Sequence, residues 1–132
     1  MLQKLAWIFG IVLLVVGILG FVPAIASGGL LLGIFQVDSL HNVIHLLSGA
    51  IAIGAAVGAA SYARLYFQVF GVVYALVAVV GFVQSDTVLG LIGVNMADNA
   101  LHVLIAAVAL WAGFGMKDNS TSAGASMQSM PM

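Results

Sequence analysis

"LGIFQVDSLHNVIHLLSGAIA" (32–52) decides the fold when it is set against "LGLIGVNMADNALHVLIAAVA" (89–109), because the second stretch is a variation on the first. Leu32, Gly33, Val37, Asn42 and His45 match Leu89, Gly90, Val94, Asn99 and His102. A second matched pair precedes them, "FGIVLLVVGILGFV" (9–22) and "FGVVYALVAVVGFV" (70–83). An apolar run followed by a run with a polar beginning thus occurs twice in the same order. Self-similarity of this kind reads as an internal repeat, here of two helical hairpins.

The rest of the chain gives those hairpins their solvent. Of 132 residues, 64% are hydrophobic and only 5% charged, with a mean hydropathy of +1.25. Soluble domains carry about a quarter charged residues. Four segments, at 5–26, 39–63, 65–83 and 98–116, approach or exceed the roughly 20 helical residues that cross a hydrocarbon core. Breaks fall at "SGGLLLG" and "SDTVLGLIGVN", while only "YARLY" (62–66) separates the second segment from the third. The expected fold is all-α, an integral membrane four-helix bundle built from two parallel helical-hairpin repeats. Residues 1–116 form its single transmembrane domain, with repeat one at about 5–63 and repeat two at about 65–116. Hairpins with an even number of crossings insert the same way up, related by a pseudo-two-fold along the membrane normal. The stretch 117–132 is small, polar and aperiodic, and is expected to be a disordered cytoplasmic tail. The start resembles a secretory signal, but its apolar run at 5–22 is too long and has an internal twin, so the segment is expected to stay.

Charge excludes several functions. A net charge of -1 offers no footprint for nucleic acid, and the chain contains no cysteine for disulfides or thiolate chemistry. There are four acidic residues, none of them glutamate, and no phosphate-binding loop, so a non-enzymatic role is expected. Lys4, Arg64 and Lys117 fall on one side of a four-crossing topology, which the positive-inside rule assigns to the cytoplasm. Both termini are then cytoplasmic, in a bacterial inner membrane. The partners implied are the lipid bilayer and either other membrane proteins or further copies of the chain. Trp7, Tyr62, Tyr66 and Trp111 read as belt aromatics.

Polar residues concentrate at the start of the second and fourth spans. Asp38 and Asn95 stand where helix caps belong. His41 and His45 continue at helical spacing into Ser48, Ala52 and Ala56, and Asp98 and His102 into Ala106, Ala109 and Gly113. Each is a polar end leading to a stripe of small residues, the pattern of a helix-contact surface, and "GAAVG" (54–58) adds a GxxxG. Intramembrane polar groups face the bundle interior, so the two faces should meet. One function for the cluster is structural glue, with Asn42, Asn99, Asp98 and the histidines hydrogen-bonding across helices two and four. The alternative is binding: His41, His45, Asp98 and His102 are the number and type of ligands that suit zinc or copper, with Asn42 and Asn99 orienting them. A third use of His45 and His102, as axial ligands of haem, lacks an arginine nearby for the propionates.

"HNVIHLLSG" and "NMADNALHVL" also carry a family likeness. The chain resembles small bacterial membrane proteins grouped as domain of unknown function 4383, which pair a His-Asn-x-x-His-Leu run with a later Asp-Asn-x-Leu-His run. Here those are His41, Asn42, His45, Leu46 and Asp98, Asn99, Leu101, His102. The likeness spans about 32–113. It implies a multi-pass membrane protein and implies no activity.

Overall fold

The computed structural model describes residues 1–117. Four helices make the body: α1 (Leu2–Leu19), α2 (Ser39–Gly58), α3 (Ala60–Gln84) and α4 (Met96–Leu110), the last extended by a π-helical turn at Trp111–Gly115. Counted through that turn, all four are long and apolar enough to cross a membrane. The chain is a multi-pass membrane protein with the four-helix architecture expected from its sequence. α1 packs mainly on α2 and α3 mainly on α4, with α2 against α3 joining the hairpins. The tail expected to be disordered lies outside the described residues, apart from Lys117.

Helix ends differ from the sequence reading for local reasons. α1 stops at Leu19 rather than running to Ala26. Pro23, lacking an N–H, cannot extend the ladder, and the chain leaves in short turns through Phe21 and Val22. The break between α2 and α3 is a single extended residue, Ala59 (φ -137, ψ 161), not the "YARLY" stretch, which lies within α3. Gly58 makes room for this, because a Cβ there would meet the Tyr62 ring at 2.5 Å.

Glycine also sets how closely the first two helices approach. A Cβ on Gly10 would stand 2.8 Å from the Gly49 carbonyl oxygen, and one on Gly49 would stand 2.8 Å from that of Gly10. Small residues permitting backbone contact are the usual means of joining helices where lipid removes the hydrophobic drive. The expected GxxxG plays no such part, since Gly54 has open space around it.

Where "all-α" left only loops, two short β-hairpins appear. β1 (Leu30–Leu31) pairs antiparallel with β2 (Phe35–Gln36), and β3 (Thr87–Val88) with β4 (Ile92–Gly93). At each tip a leucine and a glycine take positive φ in succession: Leu32 (55°) with Gly33 (70°), and Leu89 (56°) with Gly90 (66°). A leucine in left-handed backbone costs about 1–2 kcal/mol. The hairpins are stitched to each other's half. Gly93 N donates to Asp38 Oδ2 (2.8 Å), and Asn95 Nδ2 donates to the Ile34 carbonyl (2.8 Å).

The opposite end is held by side chains reaching backbone. Gln3 Nε2 donates to the Ala56 carbonyl (3.2 Å), and Arg64 Nη1 and Gln68 Nε2 both donate to the Gly113 carbonyl (3.1 and 3.0 Å). Gly113 lies inside the π-turn, where the wider winding loosens the usual i→i+4 pairing and leaves a carbonyl for these donors. Beside it, Phe9, Tyr66 and Phe67 pack edge-on, with the Phe9 and Phe67 ring centroids 5.4 Å apart. Tyr66 is therefore core rather than belt, and its hydroxyl donates to the Ser48 carbonyl at 2.9 Å. Trp7, Tyr62 and Trp111 are exposed.

Candidate functional site

At the hairpin end, the N-terminal halves of α2 and α4 bring seven polar side chains into the interior. His41, Asn42, His45, Ser48, Asp98, Asn99 and His102 are each at most 4% exposed. Helical spacing explains the grouping: three- and four-residue steps put His41, His45 and Ser48 on one face of α2, and Asp98 and His102 on one face of α4.

The three imidazoles converge. Ring centroids lie 4.6 Å apart for His41 and His45, 5.7 Å for His41 and His102, and 6.3 Å for His45 and His102. One ring nitrogen from each falls within 4.8 Å of the other two. Both nitrogens of His41 and the Nδ1 atoms of His45 and His102 are buried without a hydrogen-bond partner among the described residues. Leaving such a group unpaired costs about 1–3 kcal/mol, which makes a cluster of four orphaned nitrogens a feature that calls for a partner.

Asp98 is not in that group. It accepts from Asn95 N at 2.9 Å while Asn95 Oδ1 accepts from Asp98 N at 3.0 Å, a closed capping box at the start of α4. Asp38 is the N-cap of α2: Oδ1 accepts from His41 N (2.8 Å), leaving Oδ2 for Gly93 N (2.8 Å). Among the described residues, neither asparagine side chain hydrogen-bonds across from α2 to α4. Asn42 packs over Gly20 and Asn99 over Gly81, so closely that a Cβ on either glycine would overlap the amide. Each asparagine therefore fits its own hairpin together.

Tyr74 of α3 is the residue that sequence reasoning missed. It is buried, its ring centroid is 5.8 Å from that of His102, and its hydroxyl faces the Ser48 side chain without forming a well-aligned hydrogen bond. A lone polar atom in the otherwise apolar run 70–83 was the available signal. His41, His45, His102 and Tyr74 line one cavity of about 160 Å3, completed by Ile44, Val73, Val77, Ile92 and Val94. A second cavity of about 180 Å3 lies on the α1 side, where His45 is joined only by apolar side chains such as Val12, Leu13, Val16 and Leu101.

Asp38 and Asp98 lie beside the histidines, while Arg64 is held at the opposite end of the bundle on the Gly113 carbonyl.

Comparison with known proteins adds a family and nothing about chemistry. The family model described as Domain of unknown function (DUF4383) matches residues 3–115, and the chain belongs to that family. No curated protein and no solved structure matches the chain.

Proposed function

We propose that this member of the DUF4383 family holds one transition-metal ion inside the membrane bundle, on His41, His45 and His102. The observation that carries the reading is the convergence of three buried imidazoles whose Nδ1 atoms have no other partner. A tetrahedral ion with metal–nitrogen bonds of about 2.0–2.1 Å wants its nitrogens roughly 3.3 Å apart. Closing from 4.8 Å takes imidazole shifts of about 1 Å, the scale of small side-chain rotations. Three neutral imidazoles with an open position suit zinc or copper. The ion would join α2 to α4, the role that direct hydrogen bonds between these helices would otherwise have to fill.

Hydrogen-bonded glue is the weaker alternative, because the histidine nitrogens it requires have no partner among the described residues. Haem is weaker still. The cavity of about 160 Å3 is roughly half the lower bound of about 300 Å3 typical of sites for larger ligands.

The same reading treats residues 1–116 as one domain made of two related hairpins, with the metal bound at their junction. The positive-inside rule puts Lys4, Arg64, Lys117 and both termini in the cytoplasm of a bacterial inner membrane, with the histidines near the outer surface. Reporter fusions at residues 34 and 91 should behave as extracytoplasmic; cytoplasmic behaviour would reverse the orientation.

Elemental analysis of detergent-purified, chelator-free protein tests the function. About one zinc or copper ion per chain is expected, taken up from added salt if lost on purification. A chain that takes up neither metal contradicts the proposal.

A further inference from the structure

The rim around the histidines is not dressed for water. No charged residue occurs in 21–37 ("FVPAIASGGLLLGIFQV") or in 87–94 ("TVLGLIGV"). Yet the two β-hairpins formed by these stretches expose Leu32 (64%) and Ile34 (55%) on one, and Leu89 (68%) and Leu91 (68%) on the other.

The turn chemistry sharpens this. Ile34 N donates to Leu31 O and Leu91 N to Val88 O, each at 3.1 Å, across two residues of positive φ. Turns of that kind favour asparagine or aspartate before the glycine, because short polar side chains tolerate left-handed backbone. Leucine occupies the place in both hairpins. It brings no conformational advantage there, so what the position supplies is an apolar side chain projecting from the tip.

We propose that both hairpin tips are lipid anchors, lying in the interfacial layer with Leu32, Ile34, Leu89 and Leu91 inserted among the headgroups and upper acyl chains. Continuity with the membrane-facing helices favours lipid as the occupant. Exposed Ile18 and Phe21 lead from α1 toward the first hairpin, and exposed Phe82 and Val83 lead from α3 toward the second. The hairpins also satisfy much of their own backbone, with Val37 N donating to Gly29 O (2.9 Å) and Val94 N to Asp86 O (3.0 Å) beyond the strand pairs. Internal pairing is what a poorly hydrated layer demands. With one tip contributed by each half, the bundle would grip the bilayer at two points around the histidines. This inference is independent of whether a metal binds there.

The absence of native cysteine permits a clean test on the full chain. Leu32→Cys and Leu91→Cys would each carry a nitroxide label in vesicles of phosphatidylcholine and phosphatidylglycerol. Ile11→Cys in mid-α1 serves as the bilayer reference and Lys117→Cys as the aqueous one. Labels at 32 and 91 should be relaxed by oxygen and be several-fold less accessible than the Lys117 site to a water-soluble nickel chelate. Nickel access equal to that at Lys117 would overturn the proposal, as would shielding from both reagents, which would mean burial against protein. A Leu32→Asn background suits the turn better and keeps the hairpin folded. In it, a label at Ile34→Cys should move toward water; no change in its nickel access would also count against an anchor at Leu32.

Discussion

Asn42 lies over Gly20 in the first hairpin much as Asn99 lies over Gly81 in the second, and the two β-turns share their φ angles to within a few degrees. At other matched positions the hairpins part. His41 is matched by Asp98, Ser48 by Ile105, and Leu13 of α1 by Tyr74 of α3. The cavity beside Tyr74 contains all three histidines, whereas the one beside Leu13 contains only His45. The shared positions are those where backbone meets side chain too closely for a substitute, and they fix the frame. Among the differing positions, His41 and Tyr74 line one cavity, and Leu13 and Ile105 line the other.

That division can be broken most severely at the frame. Gly20→Leu and Gly81→Leu would each drive a side chain into the asparagine amide. Both should lower stability by about 3 kcal/mol or more, given that overpacking alone costs about 1–3 kcal/mol and the displaced amide is buried. Thermal unfolding in detergent measures it. A severe loss at one glycine with tolerance at the other would show that the two asparagines do different work.

Next in size is the contrast within α2. Gly49→Ala meets the Gly10 carbonyl and the Leu14 backbone, and should cost about 1–3 kcal/mol. Gly54→Ala has open space and should stabilise the helix by up to about 1 kcal/mol. Equal effects at the two sites would remove the close α1–α2 approach from the account.

The matched pair His41 and Asp98 predicts smaller, qualitatively different losses. Asp98→Ala opens the capping box and should lower stability by about 1 kcal/mol whether or not metal is present. His41→Ala should abolish the stabilisation that added metal gives, because a ligand raises stability only through the state that binds it. Last, Tyr74→Phe should leave metal-free stability unchanged or raise it by about 1 kcal/mol, since it removes a buried hydroxyl that lacks a well-formed hydrogen bond, whereas Tyr66→Phe forfeits a hydrogen bond worth about 1 kcal/mol. A large loss at Tyr74 would reveal a partner for its hydroxyl.

Much of this frame could be read from residue order. Four spans followed from apolar length, and the burial of the polar faces followed from helical spacing in a solvent that tolerates no exposed charge. Helix ends were harder to read. In an apolar chain nothing marks where a helix must stop, so apolar length alone carries α1 past Leu19 and places the α2–α3 break at "YARLY" instead of Ala59. The β-hairpins were missed because two-residue strands leave no periodicity, although Leu-Gly at both tips was visible. The candidate site was legible as a set of residue types and not as a geometry. Spacing put Asp98 with the histidines, but its carboxylate oxygen accepts its own helix's N-cap N–H. Asn42 and Asn99 looked like partners across the bundle, yet each packs on a glycine of its own hairpin, a pairing that periodicity in one helix cannot express.

The central claim is that three particular imidazoles bind one ion. Cobalt(II) or zinc titration of purified protein and of His41→Ala, His45→Ala, His102→Ala and Asp98→Asn tests it most directly. Since losing even a residue that merely orients a ligand costs about 10–100-fold in affinity, each histidine variant should lose at least about a hundredfold, and Asp98→Asn less than about tenfold. Affinity that survives the loss of any of the three histidines, or that collapses only with Asp98, would contradict the account.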